Sequence, residues 1–155
     1  MNIRKTIVKI FSTFFYIGYL PLIPGTFGSL AGLFLFWLTK NEVILYSGLT
    51  LGLVILGFLV TGEAEEIFHK KDAKFIVIDE VSGMLVALSF LPYNLKTVII
   101  GFFLFRLLDT LKPFPANKLE QLKGSLGVMA DDIIAGLYTN IILQIAFRVV
   151  SFKAS

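Results

Sequence analysis

The chain has 155 residues, 56% of them hydrophobic and 16% charged, and a mean hydropathy of +0.83. A soluble domain of this length could not bury so much apolar surface, so the composition indicates an integral membrane protein with one domain, residues 1–155. The absence of cysteine excludes disulfides and thiolate catalysis, and the single histidine, His69, leaves little room for a histidine-based metal site. A formal charge of +3 without a basic stripe is not typical of nucleic-acid binding.

The N-terminal segment, residues 2–20, has apolar residues at helical spacing and three basic residues, Arg4, Lys5 and Lys9. This pattern predicts an amphipathic helix at the membrane surface with its basic face toward anionic lipid, and an ordinary core helix is the alternative. Residues 21–29 then hold two prolines and two glycines, which predict a turn. Thr26 or Ser29 is expected to cap the next helix, where backbone N–H groups could bind a phosphate.

The centre of the chain alternates between apolar and polar segments. Residues 27–39 are apolar, the turn at 40–42 predicts a hairpin, and residues 43–62 carry no charged side chain. Twenty helical residues span about 30 Å, the thickness of a bilayer's hydrocarbon core. Residues 63–75 are predicted to form a polar loop.

Two later apolar segments are too short to span a membrane by themselves. They become long enough only if the acidic residues before them lie in the first turns of the helices. They are residues 81–91, which follow Asp79 and Glu80, and residues 133–147, which follow Asp131 and Asp132. Residues 97–105 are also apolar and lead into a predicted loop at 106–123. We therefore expect an all-α integral membrane bundle with an interfacial N-terminal helix and about four to five helices that span or enter the membrane.

The basic residues divide unevenly between the two predicted ends of the bundle. One end would hold ten of them, Arg4, Lys5, Lys9, Lys70, Lys71, Lys74, Arg106, Lys112, Lys118 and Lys123, and the other four, Lys40, Lys96, Arg148 and Lys153. The positive-inside rule then predicts that the first end faces the cytoplasm.

The acidic residues at that end form the candidate catalytic set: Asp79, Glu80, Asp109, Asp131 and Asp132. Clustered carboxylates repel one another unless a cation joins them, and oxygen ligands without histidine or cysteine suit Mg²⁺. Arg106 lies three residues before Asp109, on the same helix face, and Lys112 follows. An arginine and a lysine beside a magnesium site at a membrane indicate phosphoryl chemistry on a lipid headgroup.

The absence of cysteine and the single histidine exclude phosphatases that depend on those residues. The remaining reaction is metal-assisted hydrolysis by carboxylates, and a covalent aspartyl-phosphate route is left open. A small cation transporter using the same carboxylates is the alternative function, and a non-catalytic membrane scaffold is a third. Each motif taken alone also has a purely structural interpretation. Asp131 and Asp132 could mark a helix N-terminus, and Arg106 with Asp109 could be a plain ion pair.

Four segments together resemble the phosphatidylglycerophosphatase A family. They are GYLPLIPGTFGSL at 18–30, IVIDEVSGM at 76–84, FRLLDTLKPFP at 105–115 and GSLGVMADDIIAG at 124–136. The resemblance implies Mg²⁺-dependent hydrolysis of phosphatidylglycerophosphate to phosphatidylglycerol and inorganic phosphate at the bacterial cytoplasmic membrane.

The resemblance implies a role for each of these residues. Asp79, Glu80, Asp109 and Asp132 would bind the metal, and these four together with Asp131 would form the catalytic set. Arg106 and Lys112 would bind the substrate phosphate, together with Thr26 from the family's N-terminal block.

Overall fold

The computed structural model describes residues 3–154, and α-helices make up most of this range, with no strand among these residues. The elements, in chain order, are α1 (Ile3–Ser12), a 3-10 turn (Ile17–Tyr19), α2 (Pro24–Thr39), α3 (Val43–Phe68), α4 (Ile78–Leu88), α5 (Leu95–Leu111), α6 (Ala116–Leu119) and α7 (Ser125–Ala154). The predicted all-α class is confirmed, and so is the turn at 40–42, which joins α2 to α3.

The N-terminal helix is shorter than the predicted 2–20, of which residue 2 lies outside the described range. α1 ends at Ser12, and Phe14, Phe15 and Tyr16 then have positive φ angles of 45°, 54° and 68°. α1 packs along α3, where Arg4 forms an ion pair with Glu63 at 2.8 Å. Its predicted contact with lipid headgroups stays a prediction.

α2 begins at Pro24, before the apolar run at 27–39, because the fixed φ of proline suits the first turn of a helix. Thr26 and Ser29 therefore lie inside the helix, and their predicted role as caps is wrong. Ser29 instead donates its hydroxyl hydrogen bond to the carbonyl oxygen of Gly25, at 3.0 Å.

The predicted polar loop at 63–75 is wrong in its first half, because α3 continues through Glu63 to Phe68. The glutamates and alanine of this segment favour helix, so the chain keeps its conformation after its apolar part ends. α3 ends at His69, which adopts a left-handed φ of 52°. Residues 69–77 form the connection to α4, and we refer to them as the 69–77 loop.

The predicted loop at 106–123 is also shorter than expected. Asn94 caps α5 by accepting a hydrogen bond from the N–H of Thr97 at 2.9 Å, and the helix runs through Arg106 and Asp109 to Leu111. α7 begins at Ser125, which places Asp131 and Asp132 in its second turn rather than its first. Asp79 and Glu80 do lie in the first turn of α4, as predicted.

Two helices, α3 and the Ser125–Val149 part of α7, are long and apolar enough to cross a membrane. Large apolar side chains point outward, such as Ile44 at 90% and Leu59 at 73% exposure, which is typical of a surface that meets another apolar phase. α2 is shorter, and α4 has 11 residues, about 16 Å of helix, too few to span. The predicted number of four to five membrane helices stays a prediction.

α4 is the central helix and packs most extensively against α7 and α2. Its side chains at Ile78, Val81 and Leu85 are fully buried. Its far end is held by Asn140 of α7, whose side-chain amide donates hydrogen bonds to the carbonyl oxygens of Ala87 and Ser89 at 3.1 and 2.7 Å. Within α4 only Glu80, in the first turn, and Val86 are partly exposed.

Candidate active site

Three carboxylates meet where α4 begins beside α7. One oxygen from each of Asp79, Glu80 and Asp132 lies within 4.8 Å of the other two, and we call these residues the carboxylate triad. Asp79 is 5% and Asp132 4% exposed. The helices approach closely enough because Gly83 of α4 contacts backbone atoms of α7, and Gly136 of α7 contacts the carbonyl of Gly83.

The triad fits a hard divalent cation. Oδ1 of Asp79 and Oε2 of Glu80 are buried and accept no hydrogen bond. Leaving carboxylate oxygens buried without a partner is costly, and grouping three of them adds repulsion that a cation would remove. Oxygen-only ligands of this kind suit Mg²⁺, which binds proteins through a few carboxylates and keeps its remaining positions for water and substrate.

Asp109 was predicted as a fourth metal ligand, and the structure places it in a different contact. Its Oδ2 accepts a hydrogen bond from Nη1 of Arg106 at 2.7 Å, and the carboxyl groups of Asp109 and Asp132 are neighbours. Asp109 therefore lies beside the triad without belonging to it, and fixes the direction of the Arg106 guanidinium. Its role as a metal ligand stays a prediction.

Lys112 forms a second charged group close to the triad. Its ammonium lies 2.7 Å from Oδ2 of Asp131 and 2.8 Å from Oε1 of Glu120. Burial acts to lower the pKa of Lys112, but the hydrogen bonds from its ammonium to Asp131 and Glu120 outweigh it and hold that pKa above its ordinary value. Oδ1 of Asp131 is buried and accepts no hydrogen bond. Lys112 thus neutralises Asp131, and its predicted contact with substrate phosphate stays a prediction.

A cavity of about 310 Å³ opens beside the triad, and we call it the Arg106 pocket. It is lined by the start of α2, the 69–77 loop, α4 and α5, through Ile23, Pro24, Gly25, Thr26, Asp72, Lys74, Ile76, Glu80 and Arg106. Gly25 allows the close approach, because a Cβ atom there would overlap Oε1 of Glu80. Pro24 has no N–H, and the N–H groups of Thr26 and Phe27 donate to the carbonyl oxygen of Ile23, so this end of α2 favours anions mainly through the helix dipole. The pocket combines an arginine, a lysine and a helix N-terminus, which together suit a phosphate group.

Two residues of this pocket, Asp72 and Lys74, were given no role in the site by the sequence analysis, which placed both in the polar 63–75 segment and used Lys74 only for topology. Asp72 adopts a left-handed φ of 44°, and its N–H donates to Oε1 of Glu65 at 2.7 Å. Although the residue as a whole is exposed, partial enclosure of its carboxyl group by the pocket raises the pKa of Asp72, and nearby Lys112 opposes that shift. The only signal available in the sequence was the proximity of Asp72 and Lys74 to Asp79 along the chain.

A larger cavity of about 770 Å³ lies away from the triad, between α1, the 3-10 turn and the end of α3. Its walls include Lys5, Lys9, Glu63 and Glu66, and it contains none of the triad residues. The aromatic rings of Tyr19 and Phe75 stack at 5.0 Å and link the 3-10 turn to the 69–77 loop. The candidate site is therefore the smaller Arg106 pocket, because Glu80 of the triad lines it.

Comparison with known proteins gives matches over most of the chain. A model of the family described as Phosphatidylglycerophosphatase A matches residues 10–147. Phosphatidylglycerophosphatase A of Escherichia coli is 36% identical over 123 residues, covering 77% of this chain and 72% of that protein. The Haemophilus influenzae protein of the same name is 33% identical over 124 residues, covering 77% and 76%.

A Bacteroides thetaiotaomicron protein is also similar, at 33% identity over 139 residues, covering 83% of this chain and 86% of that protein. It carries the provisional name phosphatidylinositol-3-phosphatase. No solved structure matches the chain. The family match spans most of the sequence and includes every residue of the triad and the Arg106 pocket, so the chain is a phosphatase and belongs to the phosphatidylglycerophosphatase A family.

Proposed function

We propose that this protein hydrolyses phosphatidylglycerophosphate to phosphatidylglycerol and inorganic phosphate, with Mg²⁺ held by Asp79, Glu80 and Asp132. The observation that supports it most directly is the position of the triad. Glu80, whose Oε2 is buried without a hydrogen-bond partner, lines a pocket that also presents an arginine, a lysine and a helix N-terminus. The names of the Escherichia coli and Haemophilus influenzae relatives support this choice of lipid.

The substrate's terminal phosphate would bind in the Arg106 pocket. Arg106 can donate two parallel hydrogen bonds to phosphate oxygens, because its ion pair with Asp109 occupies only Nη1. Thr26 and Lys74 line the opposite parts of the pocket and supply a hydroxyl and a second positive charge. A bound Mg²⁺ would neutralise charge on the phosphoryl oxygens and make a water molecule more acidic.

The chain's own residues would handle the proton. Hydrolysis forms a bond from a water oxygen to phosphorus and breaks the bond from phosphorus to the glycerol oxygen, which leaves with a proton. Asp72 is the carboxylate outside the triad that lines the pocket, so it can accept the proton of the attacking water. Asp131 does not line this pocket and is held by Lys112, which suits a positioning role.

We further propose a multi-pass location in the bacterial cytoplasmic membrane, with this site on the cytoplasmic side. The two apolar helices, α3 and α7, support membrane insertion. Arg4, Arg106 and Lys112 lie toward the end of the bundle that holds the triad, whereas Lys40 packs over the ring of Tyr93, at 3.9 Å, where α2 has ended and α5 has not begun. This division follows the positive-inside rule.

The test is an assay of phosphate release by purified protein in detergent micelles containing phosphatidylglycerophosphate, with Mg²⁺ or with EDTA. We expect release with Mg²⁺ and none with EDTA. Asp79→Asn and Asp132→Asn should abolish it, while Glu66→Gln, which removes a carboxylate from the other cavity, should not. Full activity in EDTA, or in either aspartate variant, would contradict the proposed metal site.

A parallel assay with phosphatidylinositol 3-phosphate separates this proposal from the activity named for the Bacteroides relative. We expect slower release from that lipid, because two relatives are named for phosphatidylglycerophosphate. Faster release from the inositol lipid would reassign the substrate. Hydroxylamine trapping of an acyl phosphate would identify a covalent route.

A further inference from the structure

An apolar groove lies along α2, next to the Arg106 pocket. We call it the α2 groove; its volume is about 520 Å³, and every residue that lines it is apolar: Phe14, Phe15, Ile17, Leu20, Phe27, Leu30, Ala31, Phe34 and Leu35. The α2 members repeat at intervals of three and four residues, so they form one stripe on a single helix face. Neither the predicted catalytic residues nor the proposed hydrolysis uses this feature.

The groove begins on α2 where the lining of the Arg106 pocket ends. Thr26 lines the pocket, while Phe27 and Leu30 line the groove. Leu30 lies four residues after Thr26 and therefore shares its face of α2, about 6 Å further along the axis. A molecule with a phosphate in the pocket and an apolar tail could therefore reach the groove.

The other wall is a strained and firmly held segment. Three successive residues, Phe14 to Tyr16, have left-handed φ angles, which is unfavourable for residues other than glycine. Thr13 holds them in place, because its hydroxyl accepts from the N–H of Tyr16 at 3.1 Å and its carbonyl accepts from the N–H of Gly18 at 3.0 Å. This conformation turns the chain back so that Phe14 and Phe15 face α2 across the groove.

We propose that the α2 groove holds one acyl chain of the lipid substrate while the phosphate occupies the Arg106 pocket; this rests on the proposed lipid phosphatase function. An acyl chain gains little free energy by leaving a bilayer that is as apolar as the groove. The groove therefore acts mainly by positioning the headgroup, and its loss should lower turnover of long-chain substrate more than it weakens membrane binding.

Leu30→Trp tests this by filling the groove from α2, and Leu38→Trp is the matched control. Both leucines lie on α2 with similar exposure, 44% and 54%, but Leu38 does not line the groove. The substrates are dioleoyl and dibutanoyl phosphatidylglycerophosphate in micelles. We expect Leu30→Trp to lower kcat/KM about tenfold or more for the dioleoyl lipid and to leave the dibutanoyl lipid unchanged. Leu38→Trp should change neither.

Equal values of kcat/KM for wild type and Leu30→Trp on the dioleoyl lipid would overturn the proposal, as would equal losses on both lipids. If the wild type hydrolyses neither lipid, the proposed function itself fails, which is a different result. Photolabelling of wild type with a lipid that carries a diazirine in its acyl chain decides the case if Leu30→Trp does not fold. Label on the Phe14–Leu20 segment and α2 supports the groove, and label spread evenly over α3 and α7 refutes it.

Discussion

Gly83 on α4 lies directly against the backbone of Asp132 on α7. A Cβ atom added at Gly83 would lie 2.8 Å from the carbonyl oxygen of Asp132 and equally close to the ring of Phe105. Both neighbours are rigid, a backbone carbonyl and a fully buried aromatic ring. The spacing of the two helices therefore depends on residue 83 being a glycine, which has no side chain. The distances within the carboxylate triad depend on the same spacing.

Gly83→Ala should destabilise the protein by about 1–3 kcal/mol, because the added methyl group overpacks a filled helix interface. It should also lower phosphate release, since α4 would move away from α7 and the triad would widen. Thermal unfolding in detergent and the phosphate assay measure the two effects. Gly48→Ala is the control, because a Cβ atom there meets nothing within 4 Å. Unchanged unfolding and activity in Gly83→Ala would refute the close-packing argument.

Mg²⁺ should raise the unfolding temperature of the wild type, because a ligand that binds only the folded state stabilises it. The effect is about 2.7 kcal/mol at a concentration of one hundred times Kd. Asp132→Asn should respond much less to Mg²⁺. In EDTA it should be more stable than the wild type, because one repelling buried charge has been removed. Identical melting curves with Mg²⁺ and with EDTA would exclude a metal at the triad.

Lys112→Met should destabilise the protein by about 3 kcal/mol, because it leaves the carboxylate of Asp131 buried without its cation. Adding Asp131→Asn should restore part of that loss, and the double-mutant cycle measures the coupling of the two side chains. Lys118→Met, in α6, serves as the control, since the Lys118 ammonium lies over the ring of Phe114 at 5.2 Å. If the two substitutions lower the free energy of unfolding additively, the side chains of Lys112 and Asp131 do not stabilise each other.

Asp72→Asn and Lys74→Gln should separate the two roles of the 69–77 loop. Asp72→Asn should lower kcat about a hundredfold or more if Asp72 takes the proton of the attacking water. Lys74→Gln should mainly raise KM, because it removes a charge that contacts the phosphate in substrate and transition state alike. Lys71→Gln, a charge change on the same loop outside the pocket, should leave both constants unchanged. A Lys74→Gln enzyme with wild-type KM would remove Lys74 from the phosphate site.

Local spacing in the sequence predicted several features of the site correctly. Asp79 and Glu80 were placed in a first helical turn because the apolar run after them was too short by itself, and Arg106 was paired with Asp109 from their three-residue separation. Helix ends were predicted less well. Charged residues were taken as loop in α3 and α5, although their helix propensity allows the helix to continue past the apolar part.

Contacts between distant segments could not be read from the sequence. The separation of Asp109 from the triad depends on how α4, α5 and α7 cross. Asp72 lies in a loop, so no helical periodicity in the sequence indicates which way its side chain points. Its side chain reaches the pocket through a left-handed backbone angle and a hydrogen bond to Glu65, neither of which a residue pattern predicts.

Asn140 holds the far end of α4, and the glycine contacts with α7 hold its middle, next to the carboxylate triad. This part of the site therefore tolerates little change, whereas Asp72 and Lys74 of the 69–77 loop are exposed where they border the Arg106 pocket. Evolution can then alter headgroup preference by replacing exposed residues of this loop while the carboxylate triad stays intact. Relatives of this family that act on different phospholipids should consequently differ most in this loop and least along α4.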